Sequence, residues 1–274
     1  MNVPRLRLAI SWSETQGILH HVFAFFAQVG DRHTPVEKWA VILIGGIVME
    51  RTARRTRPQL VCVLADNSNS MMGAKAEAAT RGIRNMLIHC QAATPDDADY
   101  SYFRFLLIRF ADEPRVEPSC DMTPVYEIEA EEIVLDGRGG MTNITAALQL
   151  VLDRVRPYMQ SLQEHPERKV HPIPLILLFS DGKHNDNLAS PPQVVANELK
   201  QLTLDGDPLV IAVAGVSVGG DKADEDTLRE IASPECYVTI ENVQLLARFI
   251  AAVASSGASR AKDIAQIIKQ QVKE

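Results

Sequence analysis

The sequence has few cysteines, and no apolar run in it is long enough to cross a membrane. Its four cysteines have no CxxC spacing, so we expect reduced thiols in a cytoplasmic protein rather than disulfides or a zinc site. The apolar run from Ala40 to Met49 contains two glycines and falls short of the ~20 residues of a membrane span. The charged start leads to no small-residue cleavage site, so we predict no signal peptide and no membrane partner.

A basic excess is also missing. The formal net charge is −7, which argues against non-specific binding to nucleic acid. Hydrophobic residues make up 46% of the chain, enough for a substantial folded core. The composition therefore indicates a globular protein without a nucleic-acid partner.

From Leu60 onward, predicted strands and helices alternate. This order predicts an α/β fold, a doubly wound and mostly parallel central sheet with helices on both faces. The predicted strands are 60–64, 102–110, 132–135, 174–180, 209–214 and 236–240, with an edge strand near Tyr126. The predicted helices are 73–92, 143–159, 193–202, 224–231, 243–254 and 258–272, the second with Pro157 near its end and the last partly free.

Residues 1–57 differ in character from the rest and are predicted to form a helical appendage. A helix is expected over Glu14 to Val29 and a second element over Val36 to Met49, before a basic linker that ends at Pro58. One hypothesis is that the functional domain begins near Met49 and that the earlier residues come from a misassigned start. We therefore expect an appendage over 1–57, the main domain over 58–255 and a helical tail over 256–274.

The stretch from Leu60 to Met72 carries the first candidate site. Its buried apolar strand is followed by Asp66, Ser68 and Ser70 at alternate positions. Ligand sites of open α/β sheets lie at this carboxyl edge of the strands. One carboxylate and two hydroxyls are hard oxygen donors that suit Mg²⁺ or Mn²⁺.

Two later loops have chemistry that fits the same site. Thr142 follows a Gly-Gly-Met sequence and precedes a helix, and Asp181 ends another buried strand. If both strands lie centrally in one parallel sheet, Asp66 and Asp181 emerge at the same edge.

These three motifs together resemble the von Willebrand factor A family. DNSNS fits the D-x-S-x-S signature of that family, GGMTNITAAL resembles its threonine motif, and LLFSDG resembles its aspartate motif. The order and spacing also match, and the resemblance covers 58–254. In particular, the chain resembles short cytosolic bacterial members, including those of tellurite-resistance-type clusters.

The resemblance implies a metal-ion-dependent adhesion site. Ser68 and Ser70 would bind the ion directly, and Thr142 directly or through water. Asp66 and Asp181 would act mainly through water and by orienting the serines. The extra Met141 makes Thr145 an alternative to Thr142, but Thr145 would already lie inside the helix. For Asp66, Ser68 and Ser70, the other interpretation is an Asx-type turn or helix cap without metal.

The resemblance also implies what the site does. An open position on the ion would take an Asp or Glu side chain of another protein, so the chain would be an interaction module and not an enzyme. Adaptor work beside a kinase and phosphatase pair, or beside an AAA+ ATPase, is the expected setting.

Two alternatives remain open. A haloacid-dehalogenase-like phosphatase also begins with an aspartate after its first strand, but it needs a second acid where this chain has Ser68. The second alternative is a structural module whose bound metal only stabilises the fold.

Overall fold

The computed structural model describes residues 40–44, 47–51, 58–93, 103–164, 172–182, 190–219, 222–257 and 260–272. The chain divides into two compact units, Met1–Ala53 and Arg54–Glu274. In the first unit, strands β1 (Ala40–Ile44) and β2 (Ile47–Arg51) pair antiparallel as a hairpin. The second element expected over 36–49 is thus a hairpin in its described part. The helix expected over Glu14 to Val29 lies outside the described residues.

The second unit contains a seven-stranded sheet. Its strands are β3 (Gln59–Asp66), β4 (Phe103–Phe110), β5 (Arg115–Val116), β6 (Thr123–Pro124), β7 (Leu175–Ser180), β10 (Val210–Val216) and β11 (Tyr237–Ile240). They lie in the order β11-β10-β7-β3-β4-β5, with β6 paired to β4. The five longer strands are all parallel, whereas β5 and β6 run antiparallel to β4. A separate small hairpin joins β8 (Thr203–Leu204) to β9 (Asp207–Pro208).

The chain changes direction across the sheet at β3. It first moves from β3 to β4 on one side, and later returns to β7 on the other side before adding β10 and β11. Ligands of open α/β sheets bind outside the carboxyl ends of the strands at such a switch point. The ends of β3 and β7 are therefore where the fold favours a site.

Helices cover both faces of this sheet. They are α1 (Ala74–Ala92), α2 (Ile144–Gln163), α3 (Pro192–Gln201), α4 (Glu225–Ile231), α5 (Val243–Ser255) and α6 (Ala261–Val272). Alternate residues of β3 enter two separate cores, Val61 and Val63 on the side of α1, α5 and α6, and Cys62 and Leu64 on the side of α2, α3 and α4. All eight residues of β3 are buried, as expected for a strand covered on both faces. The predicted doubly wound α/β fold is confirmed.

The segment before the second candidate loop is not the strand that its sequence predicted. The strand expected over 132–135 is wrong, and the segment instead contains the short 3₁₀-helices Val125–Glu127 and Ala130–Glu132. The main chain of this segment is hydrogen-bonded by a side chain of α1. Arg84 donates to the carbonyls of Glu131 and Ile133 at 2.6 and 3.0 Å. The edge strand expected near Tyr126 lies slightly earlier, at β6.

Two helices differ from expectation at their ends. Pro157 lies inside α2, which continues to Gln163 because the buried side chains of Met159 and Leu162 keep its last turns on the core. The last helix is not partly free, since Ile264 and Ile268 of α6 are buried in the same core as α5. None of the helices described is long and apolar enough to span a membrane.

The four cysteines are all buried and none forms a disulfide. Burial raises the pKa of the Cys90 thiol to about 12 and the pKa of the Cys120 and Cys236 thiols to about 11. Buried protonated thiols behave as small apolar side chains.

Candidate metal centre

The two candidate aspartates end neighbouring parallel strands. Asp66 is the last residue of β3, and Asp181 directly follows β7. Ala65 pairs with Phe179 across these strands, so the two chains leave the sheet side by side. Both aspartates are fully buried, with 0% of their surface exposed. The sheet therefore brings both carboxylates to the switch-point edge.

The first loop, residues 66–72, turns around the Asp66 carboxylate. The backbone N–H of Ser68 donates to Oδ1 of Asp66 at 2.8 Å. The hydroxyl oxygens of Ser68 and Ser70 lie 3.0 Å apart, and Ser68 is 1% exposed. The alternation of these residues thus places two hydroxyls next to each other beside a buried acid.

The second oxygen of Asp66 is bonded across the sheet to β7. Ser180 donates its hydroxyl to Oδ2 of Asp66 at 2.5 Å and accepts the N–H of Gly182 at 2.9 Å. Sequence reasoning missed Ser180, although a serine that ends an otherwise apolar strand is a recognisable signal. The hydroxyl joins the first aspartate to the loop that carries the second.

Burial controls the acidity of Asp66. Burial raises the pKa of this carboxyl to about 6. Hydrogen bonds from Ser180 and Ser68 lower the pKa, but their effect is smaller than that of burial. The nearby Asp181 raises the same pKa slightly further. A cation at this edge would favour the ionised form of Asp66, because it would offset both the burial and the negative charge of Asp181.

A second loop, residues 136–143, is fastened directly to the first. The N–H of Gly139 donates to the carbonyl of Asn67 at 2.8 Å, and the N–H of Asn69 donates to the carbonyl of Gly140 at 2.9 Å. Gly140 has φ +98°, and a Cβ there would lie 2.8 Å from Cγ of Asp112. The backbone angle at this position therefore favours glycine, and an added Cβ would displace the Asp112 carboxylate.

Thr142 is held by its two neighbours at the end of β4. The N–H of Met141 donates to Oδ1 of Asp112 at 2.8 Å, and the N–H of Asn143 donates to the carbonyl of Ala111 at 2.9 Å. Thr142 itself is 4% exposed. Asp112 was missed by sequence reasoning, because its role depends on a contact with a loop 29 residues later.

The alternative threonine points elsewhere. Thr145 lies in the first turn of α2, and its hydroxyl donates to the carbonyl of Ser190 at 2.8 Å. Asn143 caps this helix by accepting the N–H of Ala146 at 3.0 Å. These contacts favour Thr142 over Thr145 as the threonine of the site.

Two further polar residues support the loops. The Asn67 side chain accepts the N–H groups of Asp136 and Gly137 at 3.0 and 2.9 Å and donates to Oδ1 of Asp136 at 2.9 Å. Lys75 is buried, and its Nζ donates to the carbonyl of Ser70 at 3.1 Å. Neither role was predicted, although Asn67 lies within the DNSNS motif and Lys75 follows it closely.

The donor set fits a hard divalent cation. Three hydroxyls and two carboxylates, those of Ser68, Ser70, Thr142, Asp66 and Asp181, come from three loops that meet at one edge of the sheet. Oxygen ligands of this kind suit Mg²⁺ or Mn²⁺. Within the described residues, no cluster of three or more His, Cys, Asp or Glu forms another candidate metal site.

Comparison with known proteins gives the family. The sequence profile of the von Willebrand factor type A domain matches residues 61–252. No curated protein sequence matches the chain.

Solved structures show the same fold. Proximal thread matrix protein 1 from the mussel byssus, with a zinc-occupied MIDAS motif, is 16% identical with a TM-score of 0.51 and covers 73% of this chain and 48% of its own. The pilus adhesin SpaC from Lactobacillus rhamnosus GG is 14% identical with a TM-score of 0.51 and covers 77% of this chain and 31% of its own. The chain thus spans less than half the length of either.

The profile covers well over half of the sequence, and the three motif loops meet where the fold places a site. The chain belongs to the von Willebrand factor type A domain family.

Proposed function

We propose that this chain is a metal-dependent protein-interaction module whose partner supplies an Asp or Glu side chain. The observation that carries the proposal is the hydrogen-bonded convergence of the three loops, which brings three hydroxyl residues and two buried carboxylates to one edge of the sheet. Domains of this family with intact adhesion motifs mediate metal-dependent protein interactions. They are typically not enzymes.

The neutral and the charged residues of the site would have different roles. Ser68, Ser70 and Thr142 would hold the cation through neutral hydroxyls, which leaves most of its positive charge uncompensated. Asp66 and Asp181 would act through water and by orienting the serines, and the 2.8 Å bond from the backbone N–H of Ser68 to Asp66 supports this role for Asp66. The bound cation supplies a coordination position for a foreign carboxylate. A binding role follows, because the site offers positive charge and an open coordination position.

We propose Mg²⁺ as the physiological ion, with Mn²⁺ as its substitute. The support is the all-oxygen donor set, which is harder than the His and Cys sets typical of zinc. A cytoplasmic location is proposed on the four cysteines, all buried and free of disulfides.

For the cellular setting we propose an adaptor in a bacterial multi-protein system. Its partner would be a kinase and phosphatase pair, as in tellurite-resistance-type clusters, or an AAA+ ATPase. The support is the resemblance to short members of the family, and the chemistry in this setting belongs to the partners.

The test is calorimetric titration of Mg²⁺ into the wild type and into a double variant, Ser68→Ala with Ser70→Ala. We expect uptake of one ion by the wild type and none by the double variant. Ser161→Ala is the matched control, because this exposed serine lies on α2 and bonds only its own helix among the contacts seen. Equal uptake by wild type and double variant would contradict the proposal.

The partner itself is tested by retention on immobilised protein in Mg²⁺ against EDTA. Asp181→Ala should lose the metal-dependent protein, whereas the exposed Asp226→Ala should keep it. The alternative is that the metal only stabilises the fold. It predicts a sharp fall in the melting temperature of the serine double variant and partner binding that does not depend on metal.

A further inference from the structure

Two exposed methionines lie on the loops that carry the hydroxyls. Met72 is 61% exposed and follows Ser70 by two residues, while Met141 is 60% exposed and directly precedes Thr142. Single exposed apolar residues are ordinary on protein surfaces. Here, however, two of the large apolar side chains exposed among the described residues border the same candidate site. In the described part of the chain, the exposed large apolar residues are Met72, Ile88, Tyr126, Val134, Met141 and Val194.

The loops that present these methionines form one bonded unit. Asn69 N–H donates to the carbonyl of Gly140 at 2.9 Å, which joins the residue before Met141 to the first loop. Gly137 approaches the other methionine so closely that a Cβ on it would lie 2.5 Å from Cα of Met72. A partner segment that reaches the hydroxyls therefore approaches two bonded loops, each of which carries an exposed methionine within two residues of a hydroxyl residue.

The charges beside this surface limit what can bind. Asp112, Glu113 and Asp136 are all exposed, and Asp112 bonds the N–H of Met141 itself. Arg138 is exposed nearby, whereas Arg115 lies 3.7 Å from Glu113 and offsets it. These three carboxylates and two guanidinium groups carry a net charge of −1, so they offer no attraction to further acids beside the one that meets the cation.

We propose that the partner segment presents one Asp or Glu flanked by Leu, Ile, Met or Phe, and not a run of acidic residues. This inference rests on the proposed function and specifies its partner. Methionine side chains suit the role because they are flexible and polarisable and adapt to different apolar surfaces. The carboxylate would give dependence on the metal, and the two methionines would select its neighbours.

The first experiment is selection from a displayed peptide library with one fixed central Glu and randomised flanks. Binding is carried out in Mg²⁺ and elution in EDTA. We expect enrichment of apolar residues at the positions next to Glu and depletion of further acids. Uniform or acidic flanks among the selected peptides would overturn the inference.

The second experiment uses a selected peptide and variants of the chain. Met72→Gln with Met141→Gln should weaken binding of that peptide by about tenfold or more, because the apolar contact is lost. The double variant Met72→Leu with Met141→Leu should bind the peptide about as tightly as the wild type does. Ile88→Gln with Val194→Gln is the matched control, since both side chains are exposed on helices. Mg²⁺ uptake without peptide should be the same in all four proteins.

The outcomes separate the two levels of the proposal. If changing the central Glu to Gln abolishes binding while the flanks have no influence, only the inference about the flanks fails. If no peptide binds in a metal-dependent way, the proposed function fails and the inference fails with it. Unchanged binding by the Met72 and Met141 glutamine variant would assign the apolar preference elsewhere and overturn the inference.

Discussion

Ser180 donates its hydroxyl to Oδ2 of Asp66 at 2.5 Å, across the two central strands β7 and β3. The other oxygen of Asp66 accepts the N–H of Ser68 at 2.8 Å. Hydrogen bonds therefore orient this buried carboxylate at both of its oxygens. This relationship ties the first motif to the third and fixes the position of the first acid of the site.

Removing that hydroxyl should weaken both the fold and the site. Ser180→Ala takes a hydrogen bond from the Asp66 carboxylate and the acceptor from the N–H of Gly182. We expect a loss of about 1–3 kcal/mol in the free energy of unfolding, measured by urea denaturation in EDTA. Mg²⁺ affinity at pH 7 should fall as well, because the pKa of Asp66 rises when its donor is lost. Ser161→Ala should change neither quantity, and a stability equal to wild type in Ser180→Ala would contradict this role.

The raised pKa of Asp66 predicts a pH dependence. In the metal-free protein, this carboxyl favours folding below its ordinary pKa of 3.8, and that contribution is lost as the pH rises to about 6. Metal binding needs the ionised group, so Mg²⁺ affinity should rise from pH 5 to pH 7 and level off above it.

Calorimetry at pH 5, 6 and 7 checks this dependence. Asp66→Asn should show weaker binding without the rise in this pH range, because the titrating group is gone. Wild-type affinity that stays constant from pH 5 to 7 would show that Asp66 is already ionised throughout.

Asp112 is predicted to act on metal binding through the position of Thr142. Its Oδ1 accepts the N–H of Met141, the residue before Thr142. Asp112→Ala should lower Mg²⁺ affinity by about 10-fold or more, within the range seen for residues that orient metal ligands. Asp112→Asn should retain most of it, since an amide oxygen can accept the same bond.

Glu113→Ala is the control for that experiment, because Glu113 is adjacent and its side chain is 80% exposed. It should leave the affinity unchanged. Equal affinity in wild type and Asp112→Ala would mean that the second loop keeps its shape without this contact.

Gly140→Ala separates backbone strain from steric overlap. Gly140 has φ +98° and lies against Asp112, whereas Gly206 has φ +88° and an added Cβ there would meet nothing within 4 Å. Gly206→Ala should therefore cost only the backbone term, about 1–2 kcal/mol. Gly140→Ala should cost more than that and should also reduce Mg²⁺ affinity. Urea denaturation of both variants gives the comparison, and equal losses would show that the second loop relaxes around the added methyl group.

Much of the fold follows from local sequence patterns. Buried strands such as β3 and β7 are continuous apolar runs, and a polar residue marks the carboxyl end of each. The helices α1 and α2 follow from apolar residues at helical spacing. These signals depend on neighbours along the chain, so they are visible without the structure.

The segment before the second loop shows where local patterns are insufficient. Its alternating Ile133 and Leu135 are buried like strand residues, yet its carbonyls are bonded by Arg84 and Gln91 of α1 rather than by a strand. Long side chains of a helix can replace a strand ladder, and nothing in the segment itself shows this. Tertiary contacts, and not the local sequence pattern, therefore determine the structure of this segment.

Some residues of the candidate site are also recognisable from the sequence, whereas others are recognisable only from the structure. Asp66, Ser68, Ser70, Thr142 and Asp181 are recognisable because they occur in three motifs at the ends of predicted elements. The supporting roles of Asn67, Asp112 and Ser180 depend on partners 69, 29 and 114 residues away. Their contacts become visible only when the loops are placed together.

A crystal structure of the protein grown in Mn²⁺ tests the central claim most directly, because manganese is located by its anomalous scattering. We predict a single manganese peak at the edge of the sheet, in contact with the hydroxyls of Ser68 and Ser70 and close to Thr142, Asp66 and Asp181. Absence of manganese from these three loops at saturating concentration, or a peak bound elsewhere on the chain, would contradict it.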